Sequence, residues 1–333
     1  MKILNRLLTP LVALTSLCLS VTALPGTAHA QTNPAFPART VTLVVPFTAG
    51  SGSDLIARVI APRLSARWGQ PVIVDNKPGA SGNLGHNVVA KAAPDGHILM
   101  LTADSFTMAP AIYKSMPYDP ANDFAPVVTL ADATYSLAVN PSVPAKDLKS
   151  LIAYLKANPG KVNYGTPGNG TPHHLSMELF KSKAGVDVLH VPYKGIAGAL
   201  TDLMGGQVQL LYGSTNSLVP HASSGRVRLL AITGATRSTL VPDVATFHEQ
   251  GMDALDGGNA YYFVAAPART PPELVARLNG DIAAVMNASD VKAELLKQGL
   301  VVRTGTPALL GAALKADLVR WRKVVADAGI TAD

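Results

Sequence analysis

The sequence predicts an α/β fold with largely parallel sheets, arranged as two domains with the second inserted into the first. Three observations lead there. Strand and helix patterns alternate from Val41 to about Thr233, the signature of strands joined by helical crossovers. Each half contains a strand running into a glycine-rich turn and then a helix, at Val41–Asp54 and at Tyr164–His174. From Pro271 the chain reads as mostly helical and offers no strand partners of its own, so it is expected to return and pack on the first half.

The elements follow in order. Asn33 to Arg39, with two prolines, reads as an extended leader. Val41-Thr42-Leu43-Val44-Val45 is β-favouring and ends in Pro46-Phe47-Thr48-Ala49-Gly50-Ser51-Gly52-Ser53. Asp54 then heads Leu55, Ile56, Val59, Ile60, Leu64 and Trp68, apolar at three- and four-residue spacing, the period of one buried helix face. Val72 to Val74 is a short strand, Asn76 to Gly82 a turn, Asn83 to Lys91 a helix and Ile98 to Thr102 a buried strand. Pro117 to Pro120 marks a loop. Pro126 to Val139 reads as a long β-rich stretch broken at Ala131-Asp132. A helix at Leu148–Ala157, a strand near Val162–Tyr164 and a helix after Thr171 continue the alternation. Strand 188–191, helix 197–204 and strands 208–212 and 227–233 complete it. Tyr261 to Ala266 is a further buried strand, and the chain ends in a helix around Trp321.

The N-terminus reads as an export signal. Lys2 and Arg6 precede an apolar stretch from Leu7 to Ala23, Pro25-Gly26 breaks it, and Ala28-His29-Ala30 offers a cleavage site before Gln31. That stretch is short for a membrane span. The single cysteine, Cys18, lies within it, so the mature chain is expected to carry no disulfide, thiolate nucleophile or thiolate-bound metal. Loss of Lys2 and Arg6 takes the formal charge from +6 to +4. The basic residues form no run of five or more, and aromatic residues are only 5%. Nucleic-acid binding therefore leaves no footprint. A secreted chain without disulfides fits a periplasm.

Familiar catalytic patterns fail on inspection. Gly50-Ser51-Gly52-Ser53-Asp54-Leu55 opens like a dinucleotide-binding turn but places Leu55 where the last glycine is needed, and it lacks a phosphate-binding lysine. Gly79-Ala80-Ser81-Gly82-Asn83 lacks the second glycine of a nucleophile elbow. Ser289-Asp290-Val291-Lys292 has S-x-x-K spacing only by position in a charged helical tail. His174 and Glu178 share a helix face at i and i+4, yet no third metal ligand is visible nearby. The plainer reading starts a helix at Thr171-Pro172, with a capping threonine and a proline in the first turn. Asp54 is read as a helix cap. Lys194 stands either as a counter-ion facing a cleft or as a solvated lysine. No catalytic, metal or cofactor residue is assigned. What remains are two small-residue loops, each ahead of a helix whose first-turn N–H groups are unpaired. Such loops receive anions, and the pair suggests a clamp for a small one.

These motifs stand in a recognisable order. Phe36 to Arg58, Asp75 to Gly85, Lys91 to His97, Tyr118-Asp119-Pro120 with Asp123 to Val127, Ala157 to Gly170, His190 to Gly195, and Ala265 to Pro267 with Thr270-Pro271-Pro272 resemble the tripartite tricarboxylate transporter substrate-binding family, the Bug-type receptors. The resemblance implies a type II periplasmic-binding-protein-like fold with a ligand cleft between two domains. It places a signal peptide at 1–30, domain 1 at 35–133 plus 259–333, and domain 2 at 134–258. It implies a monomeric periplasmic receptor, not an enzyme, that closes on a di-, tri- or aromatic carboxylate and delivers it to permease subunits of the membrane transporter. Carried over by motif, Phe47, Ala49, Gly50, Ser51 and Ser53 would hold one end of the ligand. Thr166, Gly168, Asn169, Gly170, Thr171 and His174 would hold the other. The chain departs from the family at Ser51, where glycine is usual, at Tyr261-Tyr262-Phe263, and at Gly213-Ser214. The missing acid or amide at Gly213-Ser214 argues against amino-acid ligands. Tyr261, Tyr262 and Phe263 either line the cleft or fill a hinge-strand core. Two other roles stay open: a receptor reporting to a membrane sensor kinase, and a periplasmic hydrolase, for which no nucleophile–base pair can be read.

Overall fold

Two sheets organise the chain, and the chain crosses between them at Thr134. The computed structural model describes residues 36–255, 259–327 and 329–330. The expected signal peptide and Cys18 lie outside them. Phe36–Asp333 form one compact unit.

The first sheet holds β1 (Val41–Val45), β2 (Val72–Asn76), β3 (Ile98–Ala103) and β4 (Phe124–Ala133). The second holds β5 (Tyr135–Val139), β6 (Asn163–Thr166), β7 (Leu189–Pro192), β8 (Leu210–Ser214) and β9 (Arg228–Ile232). The chain then returns through β10 (Ala260–Pro267) and β11 (Val301–Val302) to the first. Strand order is β11-β4-β10-β3-β1-β2 in one sheet and β7-β6-β8-β5-β9 in the other. Both sheets are mixed, which corrects the expectation of largely parallel ones. β1 pairs in parallel with β2 and β3, and β6 with β7 and β8. The strands nearest the crossover, β4, β5 and β10, run antiparallel to their neighbours. A strand that leaves one sheet and re-enters by another path has no helical crossover to force parallel pairing.

The helices are α1 (Gly52–Trp68), α2 (Asn83–Ala90), α3 (Ser105–Met108), α4 (Leu148–Ala157), α5 (Pro172–Ala184), α6 (Ile196–Gly205), α7 (Thr215–Ser223), α8 (Pro272–Met286), α9 (Ser289–Lys297) and α10 (Pro307–Asp327). The tail is not purely helical, because Val301 and Val302 pair with Ala131 and Asp132. The β-rich stretch breaks at Thr134 rather than at Ala131-Asp132, and α3 and α7 were not legible from periodicity. α1 buries Ile56, Val59, Ile60, Leu64 and Trp68 on the first sheet, and Gly69 closes it in the left-handed region at φ 67°. α4 begins in a capping box between Asp147 and Ser150.

A belt of hydroxyls ties the crossover. The Thr134 hydroxyl donates to Thr215 Oγ1 at 2.8 Å, and Ser136 Oγ lies 2.8 Å from the same oxygen. Tyr135 N–H donates to Thr233 Oγ1 at 2.9 Å, and Thr233 N–H donates to the Tyr135 carbonyl. Buried polar groups are thus satisfied at the point where the sheets meet.

Candidate functional site

The first loop, between β1 and α1, is shaped by one buried carboxylate. Ser51, not Asp54, is the N-cap of α1: its hydroxyl accepts from Asp54 N–H at 3.3 Å. Asp54 instead turns back and accepts from Gly50 N–H at 2.8 Å, Arg58 Nε at 2.9 Å and Asn76 Nδ2 at 3.0 Å. Burial acts to raise its pKa, but these donors outweigh it and hold the carboxyl below the usual carboxylate value. Gly50 sits at φ 82°, a left-handed turn suited to glycine. Its N–H is therefore already committed within the protein. The first-turn N–H groups of Gly52 and Ser53 have no intrahelical acceptor. Ser53 is buried and its hydroxyl has no partner among the described residues.

The second loop, between β6 and α5, is self-bracing. Thr171 caps α5, accepting from His174 N–H, and its hydroxyl donates to the Gly168 carbonyl at 2.7 Å. Pro172 fills the first helical position, where no N–H is required. Gly168 N–H donates to Thr166 Oγ1, which lies 2.6 Å from His190 Nε2. Gly170 N–H donates to His174 Nδ1 at 3.3 Å, and the His174 ring stacks on His190 at 4.2 Å. The two histidines so act as scaffold for the loop.

Both loops face a cavity of about 610 Å³, large enough for a small organic ligand. Of the residues carried over by motif, Phe47, Gly50, Ser51, Ser53, Gly168, Asn169 and Thr171 line it. Ala49, Thr166, Gly170 and His174 are not among the lining residues. His173 lines it in place of His174, with its ring edge-on to Tyr135 at 5.5 Å. Burial lowers His173 to about 4, so the ring is neutral at pH 7. Lys194 lines the cavity from an exposed position. Strand alternation separates the three aromatics of β10. Tyr262 enters the cavity, Tyr261 donates to Asp317 at 2.7 Å on the opposite face, and Phe263 packs on Phe106. At the rim, Ser81 donates to the Asn169 carbonyl at 2.5 Å and lies 3.1 Å from the Tyr113 hydroxyl. Ala80 and Ser81 both have positive φ, 47° and 57°, so this bridging turn holds backbone strain.

One residue that sequence reasoning missed is Asp104, which also lines the cavity and is fully buried. It follows β3 inside a run of apolar and small hydroxyl residues, where nothing in the spacing marks a carboxyl facing a ligand. Among the described residues no group of three or more His, Cys, Asp or Glu is placed to hold a metal ion.

Residues 56–330 match the model of the Tripartite tricarboxylate transporter family receptor. The chain belongs to this family. It is 33% identical to protein BugT of Bordetella pertussis (strain Tohama I) over 324 residues, covering 97% of this chain and 98% of BugT. Among solved structures, an R. palustris protein with adipate is 37% identical with a TM-score of 0.84, covering 89% of this chain and 99% of that one. MatC from Rhodopseudomonas palustris with bound malate is 33% identical with a TM-score of 0.81, covering 87% and 100%. The two mixed sheets are thus those of a periplasmic-binding-protein fold, and the family is one of solute-binding receptors. Among the described residues no helix of this receptor is long and apolar enough to cross a membrane.

Proposed function

We propose that this receptor captures a small di-, tri- or aromatic carboxylate in the periplasm, without converting it, and passes it to the permease of a tripartite tricarboxylate-type transporter. The observation that carries this reading is the convergence of two helix starts, α1 at Gly52-Ser53 and α5 at Pro172-His173, on one cavity. α1 contributes the N–H groups of Gly52 and Ser53 and α5 that of His173, since Pro172 has none and His174 N–H is bonded to Thr171, and each adds the positive end of a helix dipole, worth roughly 0.3–1 kcal/mol per anion at a helix start. Adipate and malate in the two R. palustris relatives are carboxylates of the size this cavity admits. Residues 35–133 with 259–333 act as one lobe and residues 134–258 as the other, hinged near Thr134 and Thr233. Ser81 meeting Asn169 supports a closing rim.

Calorimetry of the purified mature protein against mono-, di-, tri- and aromatic carboxylates tests the reading. At least one should bind, persist in excess chelator and be recovered unchanged by mass spectrometry. At 100 times its dissociation constant it should stabilise the fold by about 2.7 kcal/mol. Absence of binding across the panel, or conversion of the ligand, overturns it.

A further inference from the structure

We infer that Asp104, with Tyr135, Tyr262 and His173, forms a subsite for a protonated nitrogen, so that the ligand is an amino-carboxylate rather than a plain carboxylate. The inference rests on the carboxylate reading above and narrows it. Asp104 is 1% exposed and lines the cavity. Its Oδ1 accepts from the Tyr135 hydroxyl over a long 3.4 Å, and its Oδ2 has no partner among the described residues. None of the described ion pairs involves it. A carboxyl stripped of water and left without a cation is costly. An ammonium entering the cavity supplies the missing charge.

The surroundings favour a cation over a second anion. Asp317, bonded to Tyr261, adds a like charge near Asp104. Tyr135, Tyr212, Tyr261 and Tyr262 are kept neutral by burial, and His173 is neutral at pH 7. Lys194 also lines the cavity, from an exposed position, but none of the described ion pairs joins it to Asp104, so no cation meets that carboxyl. The aromatic rings of Tyr135, Tyr262 and His173 line the same cavity, and aromatic faces attract ammonium groups. The Ser53 and Ser105 hydroxyls, both buried and lining the cavity, have no partner among the described residues and can accept further N–H bonds. The acid absent at Gly213-Ser214 is thus supplied from the end of β3.

Burial, and then Asp317, hold the Asp104 carboxyl well above the usual carboxylate value in the free protein. An ammonium beside it favours the ionised form, so binding releases protons and affinity rises with pH.

The test is calorimetry with matched pairs: succinate against L-aspartate, glutarate against L-glutamate, adipate against L-2-aminoadipate and butyrate against 4-aminobutyrate. In at least one pair the amino compound should bind ten times more tightly or better. Its affinity should rise from pH 5 to pH 8, and proton release should register in buffers of different ionisation enthalpy. In Asp104→Asn, with folding checked by circular dichroism, the preference should shrink to about threefold or less and the pH dependence should vanish. If the variant fails to fold, the wild-type pairs and the buffer series decide alone. Equal or tighter binding of every des-amino partner overturns the ammonium subsite and leaves the carboxylate reading standing, as does a preference unchanged in Asp104→Asn. Failure of both members of every pair overturns the ammonium subsite, and the carboxylate reading falls with it only if the tri- and aromatic carboxylates of the wider panel fail as well.

Discussion

Removing the Asp54 carboxylate should loosen the first loop while leaving the sheet beneath it intact. Asp54→Ala deprives Gly50 N–H and Asn76 Nδ2 of a buried charged acceptor at 2.8 and 3.0 Å. Hydrogen bonds to charged groups contribute about 1.5–3 kcal/mol each. Gly50 is exposed and regains water once released, so the lower end applies. The pair with Arg58 adds little, because that side chain is 55% exposed. The expected loss is about 2–3 kcal/mol, or roughly 4–12 °C in Tm, by the scaling for domains of 150–250 residues. The pH dependence gives the sharper reading. The folded pKa lies below the unfolded reference of 3.8, so the stabilisation is complete above that reference and disappears as pH falls through the folded value. Thermal unfolding of wild type and variant should therefore differ at pH 7 and begin to converge as pH falls below about 4. Carboxylate affinity should fall about tenfold as the loop loses its preset shape. A Tm within 1 °C of wild type at pH 7, or a difference that persists at low pH, would refute the assignment of loop order to Asp54.

Three further outcomes are expected. A Cβ at Gly52 would overlap the buried Tyr262 hydroxyl, so Gly52→Ala should cost roughly 1–3 kcal/mol in chemical denaturation by overpacking; adding Tyr262→Ala should relieve part of it, and independent effects would argue against the contact. Ser81→Ala removes the bridge to the Asn169 carbonyl and to Tyr113, so small-angle scattering of the ligand-free variant should give a larger radius of gyration than wild type; superimposable curves would count against the latch. The His173 ring should remain neutral by NMR titration down to about pH 4. Because the unfolded ring binds its proton first, near its reference of 6.5, this residue's contribution to stability should decline between those two values as pH falls; a midpoint near 6.5 in the folded protein would contradict the buried placement.

What could be read from the sequence was local, and what could not was set by tertiary placement. The strand, small-residue turn and helix at Val41–Trp68 follow from residue types alone: β-branched residues, then glycine and serine, then an apolar stripe. Thr171-Pro172 likewise marks its helix start because capping chemistry is confined to one turn. The sheets' mixed character was not legible, since β10 and β11 pair with β4 across 120 residues or more of chain. Nor could spacing choose between His173 and His174: adjacent residues on a helix point about 100° apart, and which one meets a cavity depends on how α5 sits against its own sheet.

Asp104 makes the limit clearest. Its neighbours Leu101, Thr102, Ala103, Ser105, Phe106, Thr107 and Met108 are all buried, so the segment reads as a core run with one ionisable interruption. A carboxyl inside such a run conflicts with local preference, because burial without a cation favours its neutral form. Places where a sequence departs from the local rules that otherwise agree with its fold are where function is to be sought. Here the departure faces a cavity flanked by two helix starts that attract negative charge, so positive and negative ends stand on one ligand-sized space. A ligand with a carboxylate alone would satisfy the helix starts and leave Asp104 unpaired. One bearing both charges would satisfy both ends, and Asp104→Asn distinguishes the two.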